Sequence, residues 1–219
     1  MSGPGKGTEK DDELYKRYLS GESSAGDELM LRYADMLTGY VDGLVNDFHA
    51  AEDIMLESFA AILINKPRIR EGGFKAYLFK TARNKASRLW KKRYRANEVA
   101  YVEAGEDEAG ASERVMYENM LVQALSEANP SQVDMNDPEQ MLLKEERSAE
   151  VRSALDRIAP QYKEALYLVY CMELSYDQAA EVLKCNKKKI NNLLNNGKTA
   201  LRAELQRNEK NNEKAFIFG

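Results

Sequence analysis

Residues 72–95 read GGFKAYLFKTARNKASRLWKKRYR, and at helical spacing they show two unlike faces. Phe74, Tyr77, Leu78, Thr81, Ala82, Ala86 and Leu89 recur every three or four residues, as a stripe turned to a core does. Lys80, Arg83, Asn84, Ser87, Arg88, Lys91, Lys92 and Arg95 recur at the same intervals on the other side, with Trp90 and Tyr94 set among them. A row of cations one helix long suits a phosphate backbone, because neutralising phosphates releases condensed counterions. A solvated basic face is the plainer alternative.

The charge layout around this stretch is segregated. The chain has 219 residues and a net charge of only −4. Yet residues 66–95 hold twelve Lys or Arg against one acid, Glu71, and residues 96–150 hold fourteen acids against Arg114, Lys144 and Arg147. From Lys184 onward the chain is basic again. Basic, acidic, basic reads as two anion-binding modules joined by an acidic connector. The two cysteines, Cys171 and Cys185, lie in helical patterns without secreted-type spacing, which points to a reduced, cytoplasmic setting. With one histidine, His49, no zinc set can be assembled, and no cofactor or metal is expected. No apolar run is long enough to insert in a membrane.

Upstream, residues 11–45 read as helix broken at GESSAGDE, where Ser23 or Ser24 is placed to cap the second piece. Another helix follows over about 50–64, with Met55, Phe59, Ile62 and Leu63 apolar and Glu52, Asp53 and Glu57 grouped elsewhere. Clustered carboxylates can serve acid–base chemistry. No histidine or further acid completes such a site here, so a solvated or docking face is the better reading. Pro67 and Gly72-Gly73 then end that helix and allow a loop carrying Arg68 and Arg70.

In the last module Pro160 can open a helix but not continue one. Ser175-Tyr-Asp-Gln178 is a capping box starting a short helix with Ala179, Ala180, Val182 and Leu183 apolar. Small residues at Ala179 and Ala180 permit close helix crossing. After a turn at Lys184-Cys185-Asn186, with Asn186 as the next cap, the final helix buries Ile190, Leu193, Leu194, Leu201 and Leu205. It presents Lys187, Lys188, Asn191, Asn192, Asn195 and Lys198. This is the helix-turn-helix layout, in which lysine suits phosphate or guanine and asparagine can pair bidentately with adenine.

AEDIMLESFAAIL at 51–63, FKAYLFKTARNKASRLWKKRYR at 74–95 and ALDRIAPQYKEALYLVYCMELSYDQAAEVL at 154–183 occur in an order that resembles the bacterial sigma-70 family. The resemblance is to the small extracytoplasmic-function sigma factors that keep only regions 2 and 4. It implies an all-α chain of two small helical domains, a region 2 bundle and a region 4 helix-turn-helix, joined by a long acidic linker. The expected divisions are a disordered tail at 1–10, region 2 at 11–96, a partly helical acidic linker at 97–148, region 4 at 149–208 and a C-terminal tail at 209–219. The linker's helical piece is read at Val115, Met116, Met120, Leu121 and Leu125.

The resemblance also implies roles. Asp53 and Glu57, with Phe59 behind them, match the family's docking surface for core RNA polymerase, whose clamp and flap are the expected contacts. The loop 69–73 and the following helix match the parts that capture a flipped base of the minus-10 element, and Asn84 falls on the pocket asparagine. Arg68, Arg70, Lys80, Arg83, Arg88, Lys91 and Lys92 complete the minus-10 candidates. Flipping costs a few kcal/mol, so a pocket that holds the base traps the melted state. Lys187, Lys188, Asn191, Asn192, Asn195 and Lys198 are the minus-35 candidates. The linker is expected to run toward the RNA exit path, and an anti-sigma factor is a further expected partner. Departures are Leu56 where the family has a polar residue, Lys184-Cys185 where it commonly has glycine, and Leu193 and Asn196 where arginines are frequent.

The function implied is a promoter-specificity subunit with no chemistry of its own, binding promoter DNA when held by core enzyme. The alternative is a stand-alone helix-turn-helix regulator, which needs no loop before a basic aromatic helix. An enzyme is not indicated, because no nucleophile–base pair, metal set or phosphate loop is legible.

Overall fold

The computed structural model describes the backbone of residues 10–97, 150–151 and 153–218, and the side chains of 10–92, 150–151 and 153–207. The described residues form helices with no strand among them and fall into two compact units, 10–97 and 150–218. Residues 1–9 of the expected tail at 1–10, and nearly all of the linker at 97–148 with its helical piece, lie outside them.

In the first unit α1 (Asp11–Leu19), α2 (Ser23–Val45), α3 (Phe48–Asn65) and α4 (Phe74–Asn97) pack around one core. Leu14, Leu29, Leu37, Tyr40, Phe59, Ile62, Phe74, Leu78 and Phe79 are all fully buried. Each such side chain contributes roughly 1.5–3 kcal/mol on leaving water. On α4 the expected stripe is buried at Phe74, Leu78, Ala82 and Ala86, while Tyr77, Thr81 and Leu89 are half-buried. Phe79 joins the core as well, its ring 5.2 Å from that of Tyr40. Phe74 packs between Tyr15 at 5.4 Å and Tyr33 at 6.3 Å, distances typical of tilted aromatic pairs.

Local chemistry sets the helix ends. Asp47 Oδ1 accepts the Ala50 N–H at 3.0 Å and caps α3. The expected serine cap of α2 is not made: Glu22 occupies the N-cap position, and no side-chain bond caps it. Its carboxylate is drawn instead to Arg17, which holds it below the usual carboxylate range. An ionic partner outcompetes the cap here. Helix α1 is fixed on α2 because Arg32 donates to Asp11 Oδ1 at 2.6 Å and the Tyr33 hydroxyl donates to Asp11 Oδ2.

The second unit begins with helical residues at 150–151 and 153–157. Then come α5 (Pro160–Leu166), a π-helical turn (Tyr167–Cys171), α6 (Tyr176–Leu183) and α7 (Lys187–Phe218). Pro160 stands at the first position of α5, where its missing N–H costs nothing. The capping box is formed, Ser175 Oγ accepting the Gln178 N–H at 3.2 Å and Gln178 Oε1 accepting the Ser175 N–H at 2.9 Å. Asn186 Oδ1 caps α7 by accepting the Lys189 N–H at 2.8 Å. Ala179 and Ala180 are buried as expected, and α7 comes close to α5 at Gly197, where an added Cβ would lie 3.1 Å from Tyr162 Cβ. Helix α7 runs on to Phe218, through residues expected as a tail.

Candidate nucleic-acid interface

Two residues with left-handed backbone shape the loop between α3 and α4. Lys66 ends α3 at φ 45, and Gly72 turns the chain at φ 70. Gly73 is buried, and a Cβ there would stand 2.8 Å from the Arg70 carbonyl oxygen, so only glycine fits. Its own carbonyl accepts the Tyr77 N–H at 2.9 Å and opens α4. The loop therefore leads directly into the basic helix, with Arg68 and Arg70 exposed and Ile69 half-buried.

On α4 the residues Lys80, Arg83 and Asn84 are half-buried, and Arg88, Lys91 and Lys92 are exposed. Trp90 is 56% exposed, a large aromatic surface on a charged helix. It lines an open cleft of about 300 Å³ with Leu44, Arg83, Ala86, Ser87 and Lys91. An aromatic face flanked by two cations is the arrangement on which unpaired bases stack. Tyr94 and Arg95 lie outside the residues with described side chains.

Asp53 and Glu57 are exposed on α3, and Leu56 and Ile64 stand out beside them at 48% and 78% exposure. Leu56, Ala60 and Ile64, at four-residue spacing, form an apolar strip next to the acids. Phe59 is 1% exposed and belongs to the core, so it backs this face and does not form part of it. Periodicity already placed Phe59 on the apolar side of α3. Glu57 accepts from Lys85 of α4 at 2.6 Å, a pairing the sequence reading missed. The half-buried Glu52 faces His49 at 3.7 Å. Among the described residues no group of His, Cys, Asp and Glu gathers as metal ligands.

In the second unit Lys187, Lys188, Asn191, Asn192 and Asn195 are exposed along one face of α7, while Ile190, Leu193 and Leu194 are buried on the other. Lys187 is drawn toward Asp177 at 3.0 Å, and both side chains remain largely solvated. Lys198 departs from the rest: it is half-buried and its Nζ lies 4.9 Å from the Tyr170 ring centre. Lys184 adopts a left-handed conformation at φ 54 in the turn between α6 and α7. Cys171 sits in the π turn, where burial pushes its thiol up to about 12. No helix among the described residues is long and apolar enough to cross a membrane.

Comparison with known proteins agrees with this division. Residues 29–96 match the family model "Sigma-70 region 2", and residues 148–201 match "Sigma-70, region 4". The RNA polymerase sigma-H factor of Pseudomonas aeruginosa is 25% identical over 178 residues, covering 81% of this chain and 84% of that protein. The fold is similar to that of CnrH in its complex with the cytosolic domain of CnrY, with a TM-score of 0.54, 16% identity and coverage of 90% and 97% of the two chains. It is also similar to the sigma factor RpoE in complex with the anti-sigma factor NepR from Bartonella quintana, at a TM-score of 0.51, 18% identity and coverage of 82% and 96%. With both regions matched in order, on an all-helical fold that carries a basic helix and a helix-turn-helix, the chain belongs to the sigma-70 family, the promoter-specificity subunits of RNA polymerase.

Proposed function

We propose that this chain is a sigma factor of the extracytoplasmic-function type, working in the cytoplasm without chemistry of its own, whose two units divide the promoter between them. Residues 11–96 act as region 2 and 149–208 as region 4, with 97–148 as the connector. The loop 69–73 and Asn84 take a flipped minus-10 base, and Arg68, Arg70, Lys80, Arg83, Arg88, Lys91 and Lys92 hold the adjoining phosphates. Lys187, Lys188, Asn191, Asn192 and Asn195 meet the minus-35 duplex in the major groove. Lys198 is assigned to its own unit, over Tyr170, ahead of DNA. Asp53 and Glu57, with the strip Leu56–Ala60–Ile64, form the face for core polymerase.

The observation that carries this reading is the passage from a glycine-turned loop with exposed arginines straight into a core-anchored basic helix. A duplex-only reader has no use for such a loop. A core anchor fixes the position of the polar face, and base capture needs fixed geometry. The same two faces are open to an inhibitory partner, and the similar CnrH and RpoE structures are complexes with CnrY and with an anti-sigma factor. An anti-sigma factor is therefore proposed as a partner here. The test is binding of the purified chain to core RNA polymerase, followed by run-off transcription on a promoter library. Tight core binding with new sequence-selective transcripts supports the proposal. Salt-sensitive duplex binding without core binding would instead favour a stand-alone regulator.

A further inference from the structure

The loop between α3 and α4 is tied from outside itself. The Tyr15 hydroxyl on α1 donates to the Pro67 carbonyl at 2.8 Å, and the Tyr18 hydroxyl donates to the Leu63 carbonyl at 2.8 Å, one turn before the loop. At the far end the Gly72 N–H donates to Asp12 Oδ2. The partners lie 45 to 60 residues apart in sequence. Lys66, the left-handed residue that starts the loop, sets its ammonium 5.2 Å from the Tyr18 ring centre. Helix α1 is in turn locked to α2 through Asp11, Arg32 and Tyr33. A nine-residue helix is marginal alone, so its persistence rests on this docking.

We infer that Asp12, Tyr15 and Tyr18 are positioning residues for promoter opening, holding both ends of the 66–73 loop at the spacing in which it receives the flipped base. This rests on the assignment of that loop to base capture. None of the three need touch DNA. They act through the loop's backbone, removing conformations that would otherwise be populated between encounters. Preorganisation of this kind matters because ordering a free loop costs backbone conformational entropy for every residue fixed, and that cost would fall on the opening step.

The test uses the full chain with Tyr15→Phe, which keeps the ring against Phe74, and Asp12→Ala, with Asp12→Asn as the conservative variant that retains an acceptor. Hydrogen exchange should show the Gly72 amide exchanging several-fold faster in Asp12→Ala and recovering in Asp12→Asn. Holoenzyme carrying Tyr15→Phe or Asp12→Ala should open a duplex promoter about 3- to 10-fold more slowly, with unchanged affinity for core. On a promoter made abasic at the captured position, these variants and the parent chain should converge. Unchanged exchange overturns the inference, and so does a slowed opening that persists undiminished on the abasic promoter. Asn84→Ala separates the two assignments. If it slows opening while the α1 variants do not, base capture stands and positioning falls. If neither it nor they slow opening, base capture falls and positioning with it.

Discussion

Lys85 of α4 reaches Glu57 of α3, Nζ to Oε2 at 2.6 Å, and so ties the basic helix to the acidic face. Glu57 is the more exposed partner, with 63% of its side chain accessible against 25% for Lys85. The pair therefore lends the fold little, about 0–1 kcal/mol. In the absence of core enzyme, Lys85 occupies a carboxylate assigned to core docking in the proposed function. Lys85→Gln is expected to leave the melting temperature within a degree or two while tightening core binding about two- to fivefold, read by competition against labelled sigma. Weaker binding would mean that Lys85 itself meets polymerase.

Asn84 is half-buried near the middle of the basic helix. Asn84→Ala should lower open-complex formation about tenfold, the loss of one or two hydrogen bonds to a captured base, without altering core affinity. Permanganate footprinting of unpaired thymines, alongside core titration, separates these quantities. Parallel loss of both would remove Asn84 from the base pocket.

Two lysines on α7 are expected to behave differently. Lys188 is exposed, so Lys188→Ala should weaken promoter binding and lower the slope of log affinity against log salt by about one. Lys198 sits over Tyr170, so Lys198→Ala should cost about 0.5–1 kcal/mol of unfolding stability and leave that slope nearly unchanged. Salt titrations with denaturant melts on both variants check the contrast.

Lys184 holds a backbone conformation at φ 54 that L side chains adopt at a cost of about 1–2 kcal/mol. Lys184→Gly should stabilise the second unit by about 1 kcal/mol, part of the relief being offset by the greater freedom of glycine in the unfolded chain. Chemical denaturation monitored on that unit gives the sign directly.

Alkali should weaken both units. Burial raises the Tyr15 hydroxyl and the Cys171 thiol to about 12, from ordinary values of 10.0 and 9.0. Burial, followed by the bond to Asp11, raises Tyr33 as well. The folded state thus favours the protonated forms. Their contribution is complete below the unfolded values and is lost as pH climbs from about 9 toward 12. Thermal melts at stepped pH should show falling midpoints across that window, and Cys171 should resist alkylation in the native chain at pH 8.

Features governed by near neighbours in sequence were legible before the fold was seen. The Ser175–Gln178 capping box, the Asn186 cap, Pro160 at a helix start and the buried stripe of α4 all depend on residues within one or two turns. Phe79 escaped because α4 packs on more than one helix, so its buried arc is wider than a single stripe; Tyr40 of α2 fills the added width. The Ser23 and Ser24 reading failed because α2 begins at Ser23 itself, which puts both serines inside the first turn and Glu22 at the N-cap. Tyr15 with Pro67 and Lys85 with Glu57 join residues 52 and 28 positions apart, and no periodicity announces such pairs. The π turn at Tyr167–Cys171 has an ordinary helical sequence pattern and is fixed by packing. In the site, local pattern identified the cations and placed Phe59 on the apolar side of α3, and only the tertiary fold showed that Lys198 is engaged.

Helix α4 contributes Phe74, Leu78, Ala82 and Ala86 to the core and Arg88, Lys91 and Lys92 to the surface. The residues that make the first unit fold and those proposed to meet DNA thus share one rigid rod. Withdrawing the cations would require dismantling the domain, so folded protein always displays them. Silencing this face is a task for shielding by another molecule, and a mutation that abolishes such shielding should leave an active chain behind.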